Sequence, residues 1–308
     1  MELIYIKEHV VSKMPPIVAT LGQFDGLHVG HLKLFKKTLE LSKEKGLKSA
    51  VITFDPHPDF VLGKDATNSY ITPFEKKKQM IESIGFDFLI VINFNHYFAS
   101  ISPEEFVQEY LIKLNVSSCV VGFDFTFGNK GLGKASDIAT LSKGLIDTIV
   151  IEEVKTADSK ISSIDVKKSL VKGDVKTASI LLGRYFEVTG IVAYGNQVGS
   201  KINVPTANIL YDDEYVGLAK GVYVTIFEYE GKSYPSITNI GHNPSFNYSN
   251  KLSMECHVLN FCLDIYQKEV TIKFVEKIRD EIKFDSVSSF KEQIEKDKIF
   301  ALNILNNR

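Results

Sequence analysis

Residues Gly22 to His31 read GQFDGLHVGH, a run in which His28 and His31 stand three apart among glycines at 22, 26 and 30. Glycine lets backbone approach a polyphosphate closely, and a helix beginning here offers an anion N–H groups that have no intrahelical acceptor. The two histidines share one face of the first turn, where ring N–H groups can donate to phosphoryl oxygens as charge builds during transfer. No side-chain nucleophile is needed if the attacking group is itself a phosphate. The plain alternative is turn glycines with histidines capping a helix. A second set lies far downstream. In Pro205-Thr206-Ala207-Asn208, two oxygen-bearing side chains two apart on an extended segment point to one side. A hard Mg²⁺ on a polyphosphate needs only a few protein oxygens, although a turn with its own local hydrogen bonds would use the same residues. Met254-Glu255-Cys256-His257 adds a carboxylate suited to general-base work on a hydroxyl, with His257 on the same strand face.

The elements that must position these residues differ between the two halves. Up to about residue 157, short apolar runs alternate with helical patterns: Ile17 to Leu21, Ala50 to Phe54, Phe88 to Phe94, Ser118 to Gly122 and Thr148 to Ile151 read as buried strands. A helix after Val29 places Leu32, Phe35 and Leu39 on one face and stops at Gly46. Thr72-Pro73-Phe74-Glu75 and Ser102-Pro103-Glu104-Glu105 read as capping boxes with proline at the first helical position. This order predicts an α/β domain with a mostly parallel, Rossmann-like sheet and ligands at the carboxyl ends of its strands. Ser162 to Gly183 reads as two short helices broken near Lys172-Gly173-Asp174. Beyond it the period changes to two, in Glu187 to Tyr194, Gly221 to Glu230, Lys232 to Asn239, Met254 to Leu259 and Val270 to Lys277. A turn at Glu230-Gly231 and a closing helix, Ser286 to Leu305, complete the expectation of a small antiparallel β-barrel.

Composition sets the bounds. A length of 308 residues points to two domains, and Lys+Arg 36 against Asp+Glu 38 gives a net charge of −2, with no basic excess for nucleic acid or a membrane surface. No apolar run approaches a membrane span, and the first ten residues lack the pattern of a secretion signal, so the expected location is cytoplasmic. Three cysteines, Cys119, Cys256 and Cys262, are odd in number and form no CxxC pair, which argues against a disulfide framework or a structural zinc site. Adjacent Cys256 and His257 face opposite ways on a strand and make a poor metal pair.

The full form GxFDGxHxGH at a strand-to-helix junction resembles the adenylyltransferase half of the bacterial bifunctional riboflavin kinase/FAD synthetases. Phe54-Asp55-Pro56-His57-Pro58 and Val121 to Gly133 (VGFDFTFGNKGLG) match the same family after the second and fourth strands. The resemblance implies that Gly22, Phe24, Asp25, Gly26, Gly30, His28 and His31 handle the nucleotide. It also implies that His57 helps shape a flavin and phosphate pocket and that Asp124 and Phe125 lie near the nucleotide. A rigid loop and a packed aromatic corner are the structural alternatives for the last two stretches. Leu181 to Ile209 resembles the riboflavin kinase signature, which implies Gly190, Gly195 and Gly199 in a loop over the nucleotide and Thr206 and Asn208 as ligands of metal and phosphate. The run Thr238 to Phe246, containing Asn239, and the Glu255-Cys256-His257 strand match the kinase as well, and Glu255 is implied as the base for the ribityl hydroxyl. Arg279, in VEKIRDEIKF, reads either as a flavin or phosphate contact or as half of a salt bridge.

The sequence departs from the family at identifiable places. A segment of SSTxIR type, whose serine, threonine and arginine close over the triphosphate, is here Ser162-Ser163-Ile164-Asp165-Val166-Lys167. Ser163 and Lys167 remain as binding candidates, but a hydroxyl and a planar guanidinium are gone, which predicts weakened FAD formation. In the kinase half, Ser200 stands where the family has an arginine that Lys201 partly replaces as a binding candidate, Asn203 replaces a glycine but tolerates positive φ and so keeps the loop shape, and Gln267 replaces a glycine. The expected organisation is an FMN adenylyltransferase domain over 1–160, a helical linker over 161–183 and a riboflavin kinase domain over 184–308. Expected partners are the small molecules ATP, riboflavin and FMN with Mg²⁺, and neither nucleic acid nor membrane. Rival readings are a monofunctional enzyme with one degenerate half and a non-catalytic flavin-binding protein. Intact His28, His31, Thr206, Asn208 and Glu255 weigh against the non-catalytic reading.

Overall fold

The computed structural model describes residues 1–8, 14–65, 67–153, 161–194, 204–212, 214–242 and 252–307. The chain folds into two compact units, Met1–Ser162 and Ser163–Arg308.

In the first unit, strands β1 (Glu2–Ile6), β2 (Ile17–Leu21), β3 (Lys48–Asp55), β4 (Phe88–Asn93), β5 (Val116–Gly122) and, later in the chain, Asp147–Ile151 form one sheet in which every neighbouring pair is parallel. A small antiparallel pair, β6 (Thr126–Phe127) and β7 (Gly133–Lys134), intervenes, so Asp147–Ile151 is β8. The order β1-β4-β3-β2-β5-β8 puts β2 in the interior with the chain winding outward on both sides. Alternate residues feed two buried layers: Ile17, Ala19 and Leu21 join one cluster with Ile52, Ile90 and Phe106, while Val18 joins another with Val51, Leu89, Phe35 and Ile81. Both faces are therefore covered, as a parallel sheet requires.

Helix α1 (Val29–Lys45) ends at Gly46, whose φ of 64° permits the left-handed cap. Its buried face is Leu34, Phe35, Thr38, Leu41 and Ser42; the expected stripe holds at Phe35 and at half-buried Leu39, whereas Leu32 is exposed. After the short α2 (Pro58–Val61), α3 (Phe74–Ile84) starts one residue later than the capping-box reading, with Pro73 itself as the N-cap and no side-chain cap bond from it. The second capping box is present: Ser102 Oγ accepts from Glu105 N at 3.0 Å ahead of α4 (Pro103–Glu105), which continues as a π-helix over Phe106–Ile112. β1 and the β6–β7 pair are not expected from the sequence. A five-residue edge strand and two-residue strands carry too few residues to show a period.

The second unit begins with α6 (Ser163–Val171) and α7 (Val175–Leu182), counting the short α5 (Asp137–Leu141) of the first unit. They break at Gly173 (φ 79°), and Asp174 caps α7 by accepting from Thr177 N at 3.0 Å. Strands β9 (Phe186–Ala193), β10 (Ala207–Tyr211), β11 (Gly221–Tyr229), β12 (Lys232–His242), β13 (Leu252–Val258) and β14 (Glu269–Arg279) close into a barrel in the order β10-β13-β12-β11-β14-β9. The β11–β12 turn has positive φ at both Glu230 (47°) and Gly231 (73°), the signature of a type I′ hairpin. One side of the strands carries Tyr223, Phe227, Phe186 and Phe274 together with a buried hydroxyl cluster in which Thr225 bonds Ser236 and Thr238. On the alternate side, Val222 and Val224 pack against Leu302 and Ala301 of α8 (Val287–Asn306). The sequence marks β10 only as an extended segment around Asn208, because ANILY does not alternate.

Candidate functional site

The first unit brings three of its motifs to the carboxyl edge of the adjacent strands β3, β2 and β5. His57 follows β3, Gly22 to His31 follow β2, and Asp124 and Phe125 follow β5. β2 and β5 are neighbours from which the chain diverges in opposite directions, and such a switch point opens a crevice at the strand ends. The loop leaving β2 is strained: Phe24 (φ 53°) and Leu27 (φ 45°) occupy the left-handed region beside Gly26 (φ 81°). For a bulky residue this conformation persists only where its surroundings over-determine it. Phe24 is 1% exposed, with Phe35 at 4.9 Å and His31 at 5.2 Å between ring centroids. Glycine is required at two neighbours, since a Cβ on Gly22 would lie 2.9 Å from the Phe24 ring and one on Gly30 would lie 3.1 Å from the His28 ring.

His28 is the N-cap of α1, and its Nδ1 accepts from His31 N at 3.3 Å. A neutral ring that accepts at Nδ1 carries its proton on Nε2. The two imidazoles stack at 3.6 Å and 18°. Asp25, expected to bind the nucleotide, is 2% exposed, and its carboxylate accepts from Ile71 N (2.9 and 3.2 Å) and Thr72 N (3.1 Å). It ties the loop to the entry of α3, a supporting position beneath the site. His57 caps α2, accepting from Asp59 N at 3.1 Å, and stacks on Phe60. Asp124 is exposed, while Phe125 stacks on Phe127 and packs on the core.

Two participants carry no sequence signal. Lys77 of α3 is 1% exposed and donates to Gln23 O at 3.2 Å; burial lowers its pKa, opposed by the charges of Asp25 and Asp55. The Gln23 side-chain amide has both polar atoms buried with no hydrogen-bond partner. Ser163, exposed Ile164 and Lys167 lie in the first turns of α6, where Ser163 and Lys167, four apart, share a face.

In the second unit the registers assemble a row. Asn208 of β10 stands opposite Glu255 of β13, which stands opposite Asn239 of β12. Directly paired residues point to the same side of a sheet, so a carboxylate sits between two amides. Burial raises the pKa of Glu255, and the neighbouring charge of Glu281 raises it further. Gly241 leaves room beside the row into which the Glu281 carboxylate and Asn239 Nδ2 reach. His257 Nδ1 meets Pro205 O at 2.7 Å and so anchors the Pro205-Thr206-Ala207-Asn208 turn. Thr206 lines a cavity of about 360 Å³ with Val192, Cys256, Phe261, Cys262 and Tyr266.

Gly190 is placed elsewhere than expected, and of the two readings of Arg279 the structure shows the salt bridge. Gly190 lies inside β9, where a Cβ would strike Leu210 O of β10, so it serves close strand approach in the barrel and no loop over a nucleotide. Arg279 is held by Asp297, 1% exposed, through Nη2–Oδ2 at 2.7 Å and Nε–Oδ2 at 3.1 Å, which fastens α8 to β14. Gly195, Gly199 and Lys201, with Ser200 and Asn203, lie outside the described residues. Among the described residues no group of three or more His, Cys, Asp or Glu could hold a metal. The candidate set is instead the neutral oxygens of Thr206 and Asn208 beside one carboxylate, which suits a hard ion held mainly by phosphate and water.

The comparisons with known proteins agree with this geometry. A family model for FAD synthetase matches residues 11–165 and one for riboflavin kinase matches residues 182–305. The chain is 39% identical over 293 residues to the bifunctional riboflavin kinase/FMN adenylyltransferase of Bacillus subtilis, covering 94% of this chain and 93% of that protein. It is 31% identical over 301 residues to the Escherichia coli K12 protein of the same name, covering 95% of each. A solved structure described as a macrolide-efflux protein from Streptococcus pneumoniae overlays with a TM-score of 0.89 at 30% identity, covering 97% of this chain and 99% of that one. That description belongs to that protein, and no described helix here is long and apolar enough to cross a membrane. With two family models in sequence and near-complete coverage of relatives above 30% identity, the chain belongs to the bifunctional riboflavin kinase/FMN adenylyltransferase family.

Proposed function

We propose that the second unit phosphorylates riboflavin to FMN with ATP and that the first unit adenylylates FMN to FAD with release of pyrophosphate. The observation that carries the reading is the row Asn208–Glu255–Asn239, which sets a base of raised pKa beside an oxygen ligand within the stretch that matches riboflavin kinase. Glu255 takes the proton of the ribityl 5′-hydroxyl as that oxygen attacks the γ-phosphorus, and Asn239 orients the carboxylate from the far side. Thr206 and Asn208 would hold Mg²⁺, which when bound neutralises charge on the triphosphate.

In the first unit a phosphate oxygen of FMN bonds to the α-phosphorus of ATP, the α–β bridging bond breaks and pyrophosphate leaves. His28 Nε2–H, His31 and the first-turn N–H groups of α1 donate to the phosphoryl oxygens. The segment Ser162 to Lys167 stands where the family carries further phosphate donors, with Lys167 in place of the family's arginine. The proposed organisation is the adenylyltransferase domain over 1–160, the two helices over 161–183 and the kinase domain over 184–308.

Purified protein incubated with riboflavin, Mg²⁺ and ATP, with flavins separated over time, is expected to yield FMN and then FAD. FMN alone would establish a monofunctional kinase, and bound but unconverted riboflavin a binding protein. His28→Ala is expected to abolish FAD formation and leave FMN formation unchanged.

A further inference from the structure

Lys77 sits in a run of three lysines, Lys76, Lys77 and Lys78, yet it alone among them is 1% exposed. A buried ammonium is disfavoured unless something in the structure uses it. Its described hydrogen bond goes to the carbonyl of Gln23 at 3.2 Å, and the same carbonyl accepts from Thr53 Oγ1 of β3 at 3.1 Å. Two donors on one carbonyl fix the plane of the Gln23–Phe24 peptide. In a trans peptide the N–H points opposite to the C=O, so the Phe24 N–H is turned away from Lys77 and Thr53. The residue that follows is the strained Phe24, and four residues further on is the cap His28. On its other side the loop is held by Asp25 through the amides of Ile71 and Thr72. Lys77 and Asp25 thus grip consecutive parts of one strained loop from the start of α3.

We propose that Lys77 is a positioning residue for adenylyl transfer: with Thr53 it clamps the Gln23–Phe24 peptide and so holds the phosphate-binding loop, with His28 and His31, in its strained working conformation. The role rests on the reading of the first unit as the FAD-forming one. A lysine used only to fill space would be replaceable by a hydrophobic residue of the same length. A lysine used as a clamp is not, because without it the peptide can rotate and relax Phe24, displacing the groups that meet the phosphates.

The test compares Lys77→Met, Lys77→Arg and Thr53→Val in the full chain. Lys77→Met is expected to lower kcat for FAD formation by about a hundredfold, the order a misplacement near 1 Å produces, with KM for FMN within about threefold. Lys77→Arg, which keeps the cationic donor, is expected to recover at least about tenfold of that loss. Thr53→Val, which removes the other donor and disturbs no charge, is expected to reduce kcat by about tenfold with the same unchanged KM, and it reports even if Lys77→Met fails to fold. Wild-type kcat in folded Lys77→Met or in Thr53→Val, or a Lys77→Arg protein no better than Lys77→Met, would overturn the proposal. Wild-type FAD formation itself tests the reading of the site. Hydrogen exchange over residues 22–31 tests the clamp without turnover: at least about tenfold faster exchange in Lys77→Met is expected, and unchanged exchange refutes it.

Discussion

Glu255→Gln separates the chemistry of the second unit from its binding. The amide keeps the side chain's length and its place between Asn208 and Asn239, and it removes the negative charge and with it the ability to take a proton. General-base catalysis contributes about 10²- to 10⁴-fold, which at 1.36 kcal/mol per decade is about 2.7 to 5.4 kcal/mol of transition-state stabilisation. FMN formation at saturating ATP should fall by at least about a hundredfold, with KM for riboflavin within about threefold. The pH profile provides an independent check. Burial and the Glu281 charge raise the Glu255 pKa, so wild-type kcat/KM is lost, as pH falls, at a higher pH than an ordinary glutamate would give; the variant lacks that limb. Stability should move the opposite way. A carboxyl whose pKa is raised on folding stabilises the fold below its unfolded pKa, and that contribution is lost as pH rises through the folded one. Glu255→Gln is therefore expected to be the more stable protein at neutral pH, with the difference closing in acid. Initial rates by flavin separation and thermal unfolding at several pH values measure all three. Kinase activity within about threefold of wild type, or an unshifted acid limb, would refute the assignment of Glu255.

Lys167→Arg combined with Ile164→Thr should raise the initial rate of FAD formation from FMN about tenfold, or about 1 to 2 kcal/mol, and leave FMN formation unchanged; an equal or slower variant would mean that the cation is supplied elsewhere. Asp297→Ala leaves the largely buried Arg279 guanidinium without its counter-ion and should destabilise the second unit by about 3 kcal/mol in urea unfolding, part of which Arg279→Met in the same protein should restore. Gln267 has a φ of 61°, so Gln267→Gly should relieve left-handed strain and raise stability by up to about 1 kcal/mol; a lower melting temperature would show that the Gln267 side chain makes compensating contacts.

The fold class is legible because each unit's period follows from what covers its strands. Buried on both faces, β2 to β5 read as mainly apolar runs with no alternation; buried to different depths on two sides, β9, β11 and β14 read with a period of two. Motif residues at strand ends are legible for a related reason, since a glycine or histidine that interrupts an apolar run marks where the strand must stop. Long-range partners are not. Arg279 and Asp297 are eighteen residues apart, on a strand and a helix, and nothing local distinguishes their buried pair from a surface one. Gly190 misleads because a glycine that admits a neighbouring strand and one that admits a nucleotide look alike until the neighbour is known.

The two sites also differ in how much of each a sequence can carry. The proposed adenylyl donors come mainly from one contiguous loop, so a ten-residue motif carries them, while Lys77 and Thr53, proposed to hold the loop, stay hidden in an ordinary helix and strand. The kinase site is a cross-strand row, and membership depends on register: Glu255 faces Asn208 and Asn239 only because β10, β13 and β12 pair as they do. A shift of one residue in either pairing would turn an amide to the opposite face, away from Glu255. With Glu255 as the proposed base, register belongs to the proposed catalytic apparatus, and its anchors bear on function without touching substrate. His257, which ties the Pro205 carbonyl to β13, is one such anchor, two residues from Glu255 and on the same face. Glu281 lies on the Gly241 side of the row, and its charge adds to burial in raising the pKa of Glu255.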